Sequence, residues 1–359
     1  MSKIADSTVL VTGGCGFLGS HIVDALVADH FAVVATSRNP TRYCNPDARY
    51  VALNLHNAEA VAALIDHVQL CAIVHTVTAG PNAPRAAHDK EYKATKNLLE
   101  IAHKAPSVKA FIYTSSAEAV ANLNGSHKLS ETDAVLHTDA SAPTNYARVK
   151  AASERLIRTF NPSVACSDGG YAGSLRTVIL RMPGIYGPRD GSIAPGLLQG
   201  TNTLVSRLQF GDNKSLNEWI YVESAASAHL LAIKALLNDD VSGIEGEAFF
   251  FSDGEPLRFW DFARKLWAAA GDKNVSRPEK RIVSPWAPIV ALATLVELLT
   301  FIFTFGRMIP PMSRHHLQYM RFGAWWDIGK ARERLQYEPL VSTDEGIRRT
   351  VAWFQQKSK

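Results

Sequence analysis

The feature that most constrains this chain is a glycine-rich turn set between an apolar strand and a helix. Thr12-Gly13-Gly14-Cys15-Gly16-Phe17-Leu18-Gly19 follows the apolar run Thr8–Thr12 and opens into the helical pattern Gly19–Asp29. Gly13 permits a tight turn, Gly16 lets a pyrophosphate approach the backbone, and Gly19 lets the helix pack on the strand. The first helical turn, with Phe17 and Leu18, offers N–H groups and the positive end of the helix dipole to phosphates. Glycine also serves ordinary strand–helix turns. Here strand, spacing and helix agree, which makes the motif a dinucleotide cradle.

The cradle sits in a regular alternation. Ala32–Thr36, Tyr50–Leu55, Cys71–Thr76 and Lys109–Thr114 read as further buried strands, and Glu59–His67 and Lys90–Lys104 as helices between them. Such alternation predicts an α/β fold, a doubly wound parallel sheet of the Rossmann type. A helix over Tyr146–Phe160, a Gly/Ser-rich loop Ser167–Ser174 and a strand Arg176–Leu180 continue it. Past Pro183 glycine and proline become frequent, and helices such as Ser224–Leu237 and Phe259–Ala270 stand between longer loops. With 359 residues, one or two domains are expected. Residues 1–183 are assigned to the nucleotide-binding domain, with some later strands returning to it. Residues 184–359 are assigned to a smaller substrate-binding lobe over the C-terminal edge of the sheet.

The end of the second strand selects the dinucleotide, because an acid there would hold a ribose 2′-hydroxyl. The chain reads Ala35-Thr36-Ser37-Arg38-Asn39-Pro40, with no acid. Ser37 and Arg38 suit a 2′-phosphate instead, Arg38 through charge-assisted hydrogen bonds, so NADP is preferred over NAD. Asn54 and Leu55, ending the third strand, fall where an adenine would lie.

A second constellation lies downstream. The strand Phe111–Thr114 ends in Ser115-Ser116, and Tyr146-Ala147-Arg148-Val149-Lys150 follows about 30 residues later. Four residues apart, Tyr146 and Lys150 share one face of a helix. A free phenol titrates near pH 10. A neighbouring ammonium and a nicotinamide's positive charge favour phenolate and should shift Tyr146 toward the working range. Ser116 would hydrogen-bond the substrate oxygen. Tyr-x-x-x-Lys occurs by chance on many surface helices, and its weight here comes from following a glycine cradle and a strand-terminal serine pair in order. Ser116, Tyr146 and Lys150 are the candidate catalytic residues, and Thr114, Tyr146 and Lys150 are also placed against the cofactor. The set suits interconversion of a secondary alcohol and a ketone.

Composition narrows the partners. The formal charge is only +4 and no Lys/Arg cluster tracks a phosphate backbone, which argues against nucleic acid. Cys15, Cys44, Cys71 and Cys166 are scattered without a metal-ligand or disulfide pattern, as expected of reduced thiols and no metal site. No signal peptide is read at the N-terminus. Trp286–Phe305 is almost wholly apolar and holds Glu297 near its middle. A helix in the membrane interface is the first reading, a buried helix or lid over a greasy substrate the second, and a true span the third.

These residues resemble the extended short-chain dehydrogenase/reductase superfamily, and more narrowly its 3β-hydroxysteroid dehydrogenase branch. Further matching stretches are Phe111–Glu118, Leu180–Pro188 and Glu218–Glu223. Gly246–Pro256 and Asp327–Arg332 resemble the sterol-4α-carboxylate 3-dehydrogenases in particular. The likeness implies Ser116 rather than Ser115 as catalytic serine, and Pro183 where the backbone meets the nicotinamide. It also implies a hydrophobic polycyclic alcohol of steroid or terpenoid type and peripheral association with an intracellular membrane, on the cytoplasmic face of the endoplasmic reticulum. A homodimer is compatible with the sequence, which does not set the oligomeric state. If the carbon beside the new ketone carries a carboxylate, the β-keto acid can lose CO2 with little help.

Two positions depart from the family pattern. Glu91 in Glu91-Tyr92-Lys93-Ala94-Thr95 stands where an Asn of the family helps build the proton relay, and Val77 replaces a small alanine near the cofactor. Both suit a paralogue acting on a related metabolite. The rival readings are a nucleotide-sugar epimerase or dehydratase and a non-catalytic NAD(P)-sensing protein. The apolar Trp286–Phe305 and the stretch Met308–Met312 speak against the first, and the retained Tyr146 and Lys150 against the second.

Overall fold

The computed structural model describes residues 7–121, 128–161, 175–238, 243–304, 310 and 314–357. The loop Ser167–Ser174, Cys166, Phe305 and most of the stretch Met308–Met312 lie outside the described residues. Seven strands form one parallel sheet: β1 (Thr8–Thr12), β2 (Ala32–Ser37), β3 (Arg49–Ala52), β4 (Ala72–His75), β5 (Ala110–Ser116), β6 (Arg176–Met182) and β11 (Ala248–Phe250). Their order is β11-β6-β5-β4-β1-β2-β3, so the chain reverses direction across the sheet between β1 and β4. Such a switch point is where open α/β sheets bind ligands, outside the strand carboxyl ends.

The strands read as continuous apolar runs because both sheet faces are covered. On one side α1 (Phe17–Ala28) packs Leu18, Ile22 and Leu26 with Val222, Ala225 and Ile233 of a later helix. On the other, α2 (Ala58–Val68), α3 (Arg85–Lys104) and α4 (Asn145–Thr159) bury Leu64, Leu98, Leu99 and Ile157 against Leu10, Ile73 and Phe111. Two of the boundary shifts bear on the site. Helix α3 begins at Arg85 rather than Lys90, and β5 runs on through Ser115 and Ser116 instead of stopping at Thr114. The second shift matters, since it puts both serines on regular, alternating strand positions.

Beyond β6 come β7 (Gly184–Tyr186), α5 (Ile193–Leu198), β8 (Leu208–Phe210), β9 (Leu216–Asn217), β10 (Trp219–Tyr221) and α6 (Val222–Leu237). After β11 follow β12 (Leu257–Arg258), α7 (Phe259–Ala269), β13 (Ile282–Ser284), α8 (Trp286–Thr304), α9 (Arg314–Phe322), α10 (Gly329–Leu335) and α11 (Thr343–Lys357). The short strands pair as β7 with β10, β9 with β12 and β8 with β13. Trp219 stacks on Phe262 at 4.0 Å, and with Tyr186, Tyr221, Leu266, Ile347 and Val351 they form a core separate from those of the large sheet.

One buried ion pair locks the strand ends that matter most. Arg181 of β6 donates through Nε and Nη2 to both carboxylate oxygens of Glu154 on α4, the shortest contact being 2.8 Å. Ser115 Oγ donates to the same carboxylate at 2.6 Å, and the Arg181 guanidinium lies 5.1 Å from the Phe250 ring centre on β11. Removing one partner of a fully buried pair strands the other's charge, at a cost of about 3–5 kcal/mol. Glu154→Ala is therefore expected to lose roughly that much stability, measured as a drop in the urea midpoint. A change below about 1 kcal/mol would show that α4, β5 and β6 are held by packing alone.

Candidate active site

The glycine turn closes on itself by backbone contact. Gly13 and Gly14 N–H groups donate to Thr36 O at 2.8 and 3.1 Å, tying the turn to the end of β2. Gly13 has φ +73°, a conformation that L side chains rarely adopt. A Cβ on Gly19 would lie 2.2 Å from Gly13 O, so only glycine lets α1 start this close to β1. Helix α1 begins at an N-cap glycine, Gly16, with no side-chain cap and no acid in its first turn. Its leading amides thus have no intrahelical acceptor and point their dipole at the cavity mouth.

That mouth belongs to a cavity of about 1230 Å3 that runs across the switch point. Every residue named above as a cofactor-binding or catalytic candidate lies on its wall. Gly13, Gly16, Phe17, Leu18 and Gly19 form one stretch, Ser37, Arg38, Asn54 and Leu55 one end, and Thr114, Ser116, Tyr146, Lys150 and Pro183 the other. An uncapped helix end, a turn that excludes Cβ atoms and a long cavity of this size fit a dinucleotide. Sequence reasoning missed Arg42, Thr41 and Lys90, which also line it. Thr41 and Arg42 sit on the loop after β2, and Lys90 lies within the helix expected from the sequence, where nothing in its spacing marks it as facing a cavity. Arg42, four residues beyond Arg38, was the one legible signal. Among the described residues neither arginine forms an ion pair, and both are exposed. Val77 packs over the turn, its Cγ2 lying 3.3 Å from where a Gly13 Cβ would be.

Strand alternation separates the two serines. Ser115 Oγ is committed to Glu154, whereas Ser116 Oγ accepts from Glu118 N at 3.1 Å and keeps its own hydrogen to donate. Thr144 caps α4 by accepting from Ala147 N at 3.0 Å, which places Tyr146 in the first turn and Lys150 one turn on. Lys150, 2% exposed, donates from Nζ to Thr114 O at 3.2 Å and lies 5.7 Å from the Tyr146 ring centre. Its nearest anion is Glu91, with Oε1 at 3.5 Å.

Against the expected shift toward neutrality, the protein's own groups, without a nicotinamide charge beside them, move Tyr146 the other way. Burial pushes the phenol up, and the nearby Lys150 ammonium and Ser116 hydroxyl only partly offset it, while Glu118 and Glu91 add to the rise. The net result for the protein's own groups is about 12. Two histidines brace the strand ends around the site. His75 bridges Thr12 Oγ1 at 2.8 Å and Thr95 Oγ1 at 3.0 Å, and burial with Lys150 nearby pushes it down to about 3. His229 meets Thr114 Oγ1 at 2.8 Å and Ala225 O at 2.7 Å, and burial pushes it down to about 4. Both are neutral at physiological pH, so the charges beside Tyr146 come from Lys150, Glu91 and Glu118.

A doubly wound sheet with this cradle defines the extended short-chain dehydrogenase/reductase class of NAD(P)-dependent oxidoreductase. Comparison with known proteins narrows the class. Residues 10–279 match the model of the 3-beta hydroxysteroid dehydrogenase/isomerase family. A sterol-4-alpha-carboxylate 3-dehydrogenase, decarboxylating, of Gibberella zeae is 32% identical over 84% of this chain and 96% of its own length. The protein of the same name from Schizosaccharomyces pombe is 30% identical over 98% of this chain and 99% of its own. The chain belongs to the 3-beta hydroxysteroid dehydrogenase/isomerase family. Its fold is shared more widely. A UDP-glucose 4-epimerase of Thermotoga maritima has a TM-score of 0.69 at 20% identity, covering 98% of this chain and 100% of that one. A dTDP-glucose 4,6-dehydratase of Streptomyces venezuelae, solved with NAD, gives 0.69 at 20% identity over 97% of each chain.

Proposed function

We propose that the chain oxidises a ring hydroxyl of a hydrophobic polycyclic alcohol, of steroid or terpenoid type, or reduces the matching ketone. The observation that carries this reading is the meeting of Ser116, Tyr146 and Lys150 at one end of the dinucleotide-sized cavity. Ser116 donates its free hydrogen to the substrate oxygen. Tyr146 takes the alcohol proton, and Lys150, anchored on Thr114 O, supplies the positive charge that favours phenolate. NAD(P), held by the glycine turn and Pro183, supplies the two-electron acceptor. The names of the relatives, with their 4-carboxylate, add the prospect that a β-keto acid forms and releases CO2 unaided.

The finer assignments follow from the same surfaces. Residues 1–183 with β11 serve as the nucleotide-binding domain and residues 184–359 as the substrate lobe. Arg38 and Arg42 together suit a 2′-phosphate, which favours NADP. Helix α8, of mean hydropathy 2.0, leaves most of its apolar surface bare, with Leu292, Phe301 and Phe303 at 58, 63 and 78% exposure. Its one acid, Glu297, accepts from the Arg314 side chain of α9 at 2.6 Å. The bare apolar surface supports an interfacial helix over a buried lid, and an enzyme on the cytoplasmic face of the endoplasmic reticulum is part of the same proposal.

Tyr146→Phe is expected to lower kcat for NADP+-linked oxidation of a 3β-hydroxysteroid by about 10²–10⁴. Equal turnover in both proteins would remove Tyr146 from the mechanism, and no turnover of any panel member by the parent would remove the activity. Loss of charge-assisted bonds costs about 1.5–3 kcal/mol. Arg38→Ala with Arg42→Ala should therefore weaken NADP+ binding by about tenfold or more and spare NAD+; unchanged titrations refute the 2′-phosphate site. Each apolar side chain of α8 contributes roughly 1.5–3 kcal/mol on leaving water. Replacing Leu292, Phe301 and Phe303 by Ser should abolish flotation with phospholipid vesicles, and undiminished flotation would point to another contact surface.

A further inference from the structure

Helix α3 carries a buried acid that the alcohol–ketone chemistry above leaves without a task. Glu91 is 7% exposed. Its Oε2 accepts from Ala79 N at 2.8 Å, while Oε1 has no hydrogen-bond partner among the described residues and faces Lys150 Nζ at 3.5 Å. One turn earlier, His88 is fully buried, with Nδ1 at 3.6 Å from Oε2 and its ring edge-on to Tyr146 at 6.1 Å. Carboxylate, ammonium and phenol therefore belong to one cluster at the inner end of the cavity.

A buried carboxylate persists only where its charge is compensated. Burial pushes the Glu91 carboxyl up, but Lys150, His88, the Ala79 amide and Thr78 more than reverse this and hold it at about 2. Glu91 is thus an anion throughout the working range. An ammonium has three donors. Thr114 O takes one from Lys150, and Glu91 Oε1 draws the ammonium by charge from 3.5 Å without a hydrogen bond, which leaves the other donors for the cavity, where a ribose hydroxyl would accept one. The same negative charge also opposes phenolate formation at Tyr146.

We propose that Glu91 is a positioning residue acting through Lys150, aiming its Nζ and offsetting its charge, and so setting the pH at which Tyr146 yields its proton. The groups facing Tyr146 are Lys150 on α4, Ser116 on β5, Glu118 just after β5, and His88 and Glu91 on α3. Lys150 in turn faces Glu91, Tyr113, Tyr146 and the neutral His75. Of these anions Glu91 is the one paired with the ammonium, so its removal alters both the charge beside the phenol and the setting of Lys150. The inference rests on Tyr146 as the proton-transfer group, and not on which alcohol is turned over.

The test follows Tyr146 directly. In full-length protein labelled with 3-fluorotyrosine, the Tyr146 fluorine resonance is identified by its loss in Tyr146→Phe and titrated without substrate. Fluorination acidifies the phenol and brings its midpoint into a range where the protein stays folded. Glu91→Gln, which can still accept from Ala79 N, is expected to lower the midpoint by about one pH unit. Glu91→Asp, which keeps the charge, should stay within a few tenths of the parent. In NADP+-linked oxidation of a 3β-hydroxysteroid, the rise of kcat/KM with pH should move down equally, giving Glu91→Gln about tenfold more activity on that limb. An unmoved or raised fluorine midpoint in Glu91→Gln overturns the proposal; should that variant not fold, Glu91→Asn is read the same way. Failure of the parent to turn over any hydroxysteroid strikes the functional reading alone, because the fluorine titration needs no substrate.

Discussion

The Glu154–Arg181 pair decides whether this site can exist. Ser116 arrives on a strand, Tyr146 and Lys150 on a helix. What fixes their mutual position is a guanidinium on β6 gripping a carboxylate on α4 while Ser115 of β5 donates to the same carboxylate. Apolar residues of equal volume would serve stability as well or better, since two ions must be taken out of water. A bidentate, planar contact instead admits one geometry, where greasy packing admits several. Ser115 is thereby spent on structure, and its neighbour Ser116, on the opposite strand face, lies on the cavity wall without that commitment.

A second buried pair, Lys150 with Glu91, is looser in every respect. The separation is 3.5 Å rather than 2.8 Å, and Glu91 Oε1 lacks a proper hydrogen bond where both Glu154 oxygens are satisfied. A tight pair fixes a frame. A loose one leaves a charge available to a ligand. The neutral imidazoles of His75 and His229 complete the contrast: each bridges strand ends through hydroxyls and carbonyls without adding charge to the site. The electrostatic environment of Tyr146 is therefore governed by few groups, and burial raises its phenol more than Lys150 lowers it.

How far the sequence reveals this arrangement depends on the range of each interaction. The glycine turn is legible because its requirements are local: Gly13 and Gly19 are dictated by contacts a few residues away. The strands of the large sheet are legible because burial on both faces writes an unbroken apolar run. Tyr146 and Lys150 are legible as a helical repeat, but their electrostatics are not, because Glu91 and Glu118 come from other elements. Arg42 and Lys90 escape for a related reason. Arg42 reaches the cavity from a loop and Lys90 from within a helix the sequence does show, and neither position carries a periodic mark of its own. The return of β11 to the sheet edge beside β6 likewise depends on a pairing across about 70 residues.

Helix α8 shows how a polar residue can clarify an apolar segment. Read linearly, Glu297 is an obstacle to a membrane span. In three dimensions it accepts from both the backbone N and the Nε of Arg314, and it lines a second, polar cavity of about 650 Å3 together with Glu118, Asn145 and Arg148. The acid thus marks the protein-facing side of the helix. Leu292, Leu295, Phe301 and Phe303 are left on surface that nothing in the described chain covers. Trp286 anchors the start of the helix by lying against Gly211, where a Cβ would come within 1.9 Å of its ring nitrogen. One end is fixed to the lobe, one side is paired through charge, and the remainder is apolar. A helix built this way is suited to lie along an interface rather than cross it, since spanning would require Glu297 and Arg314 to travel into hydrocarbon together.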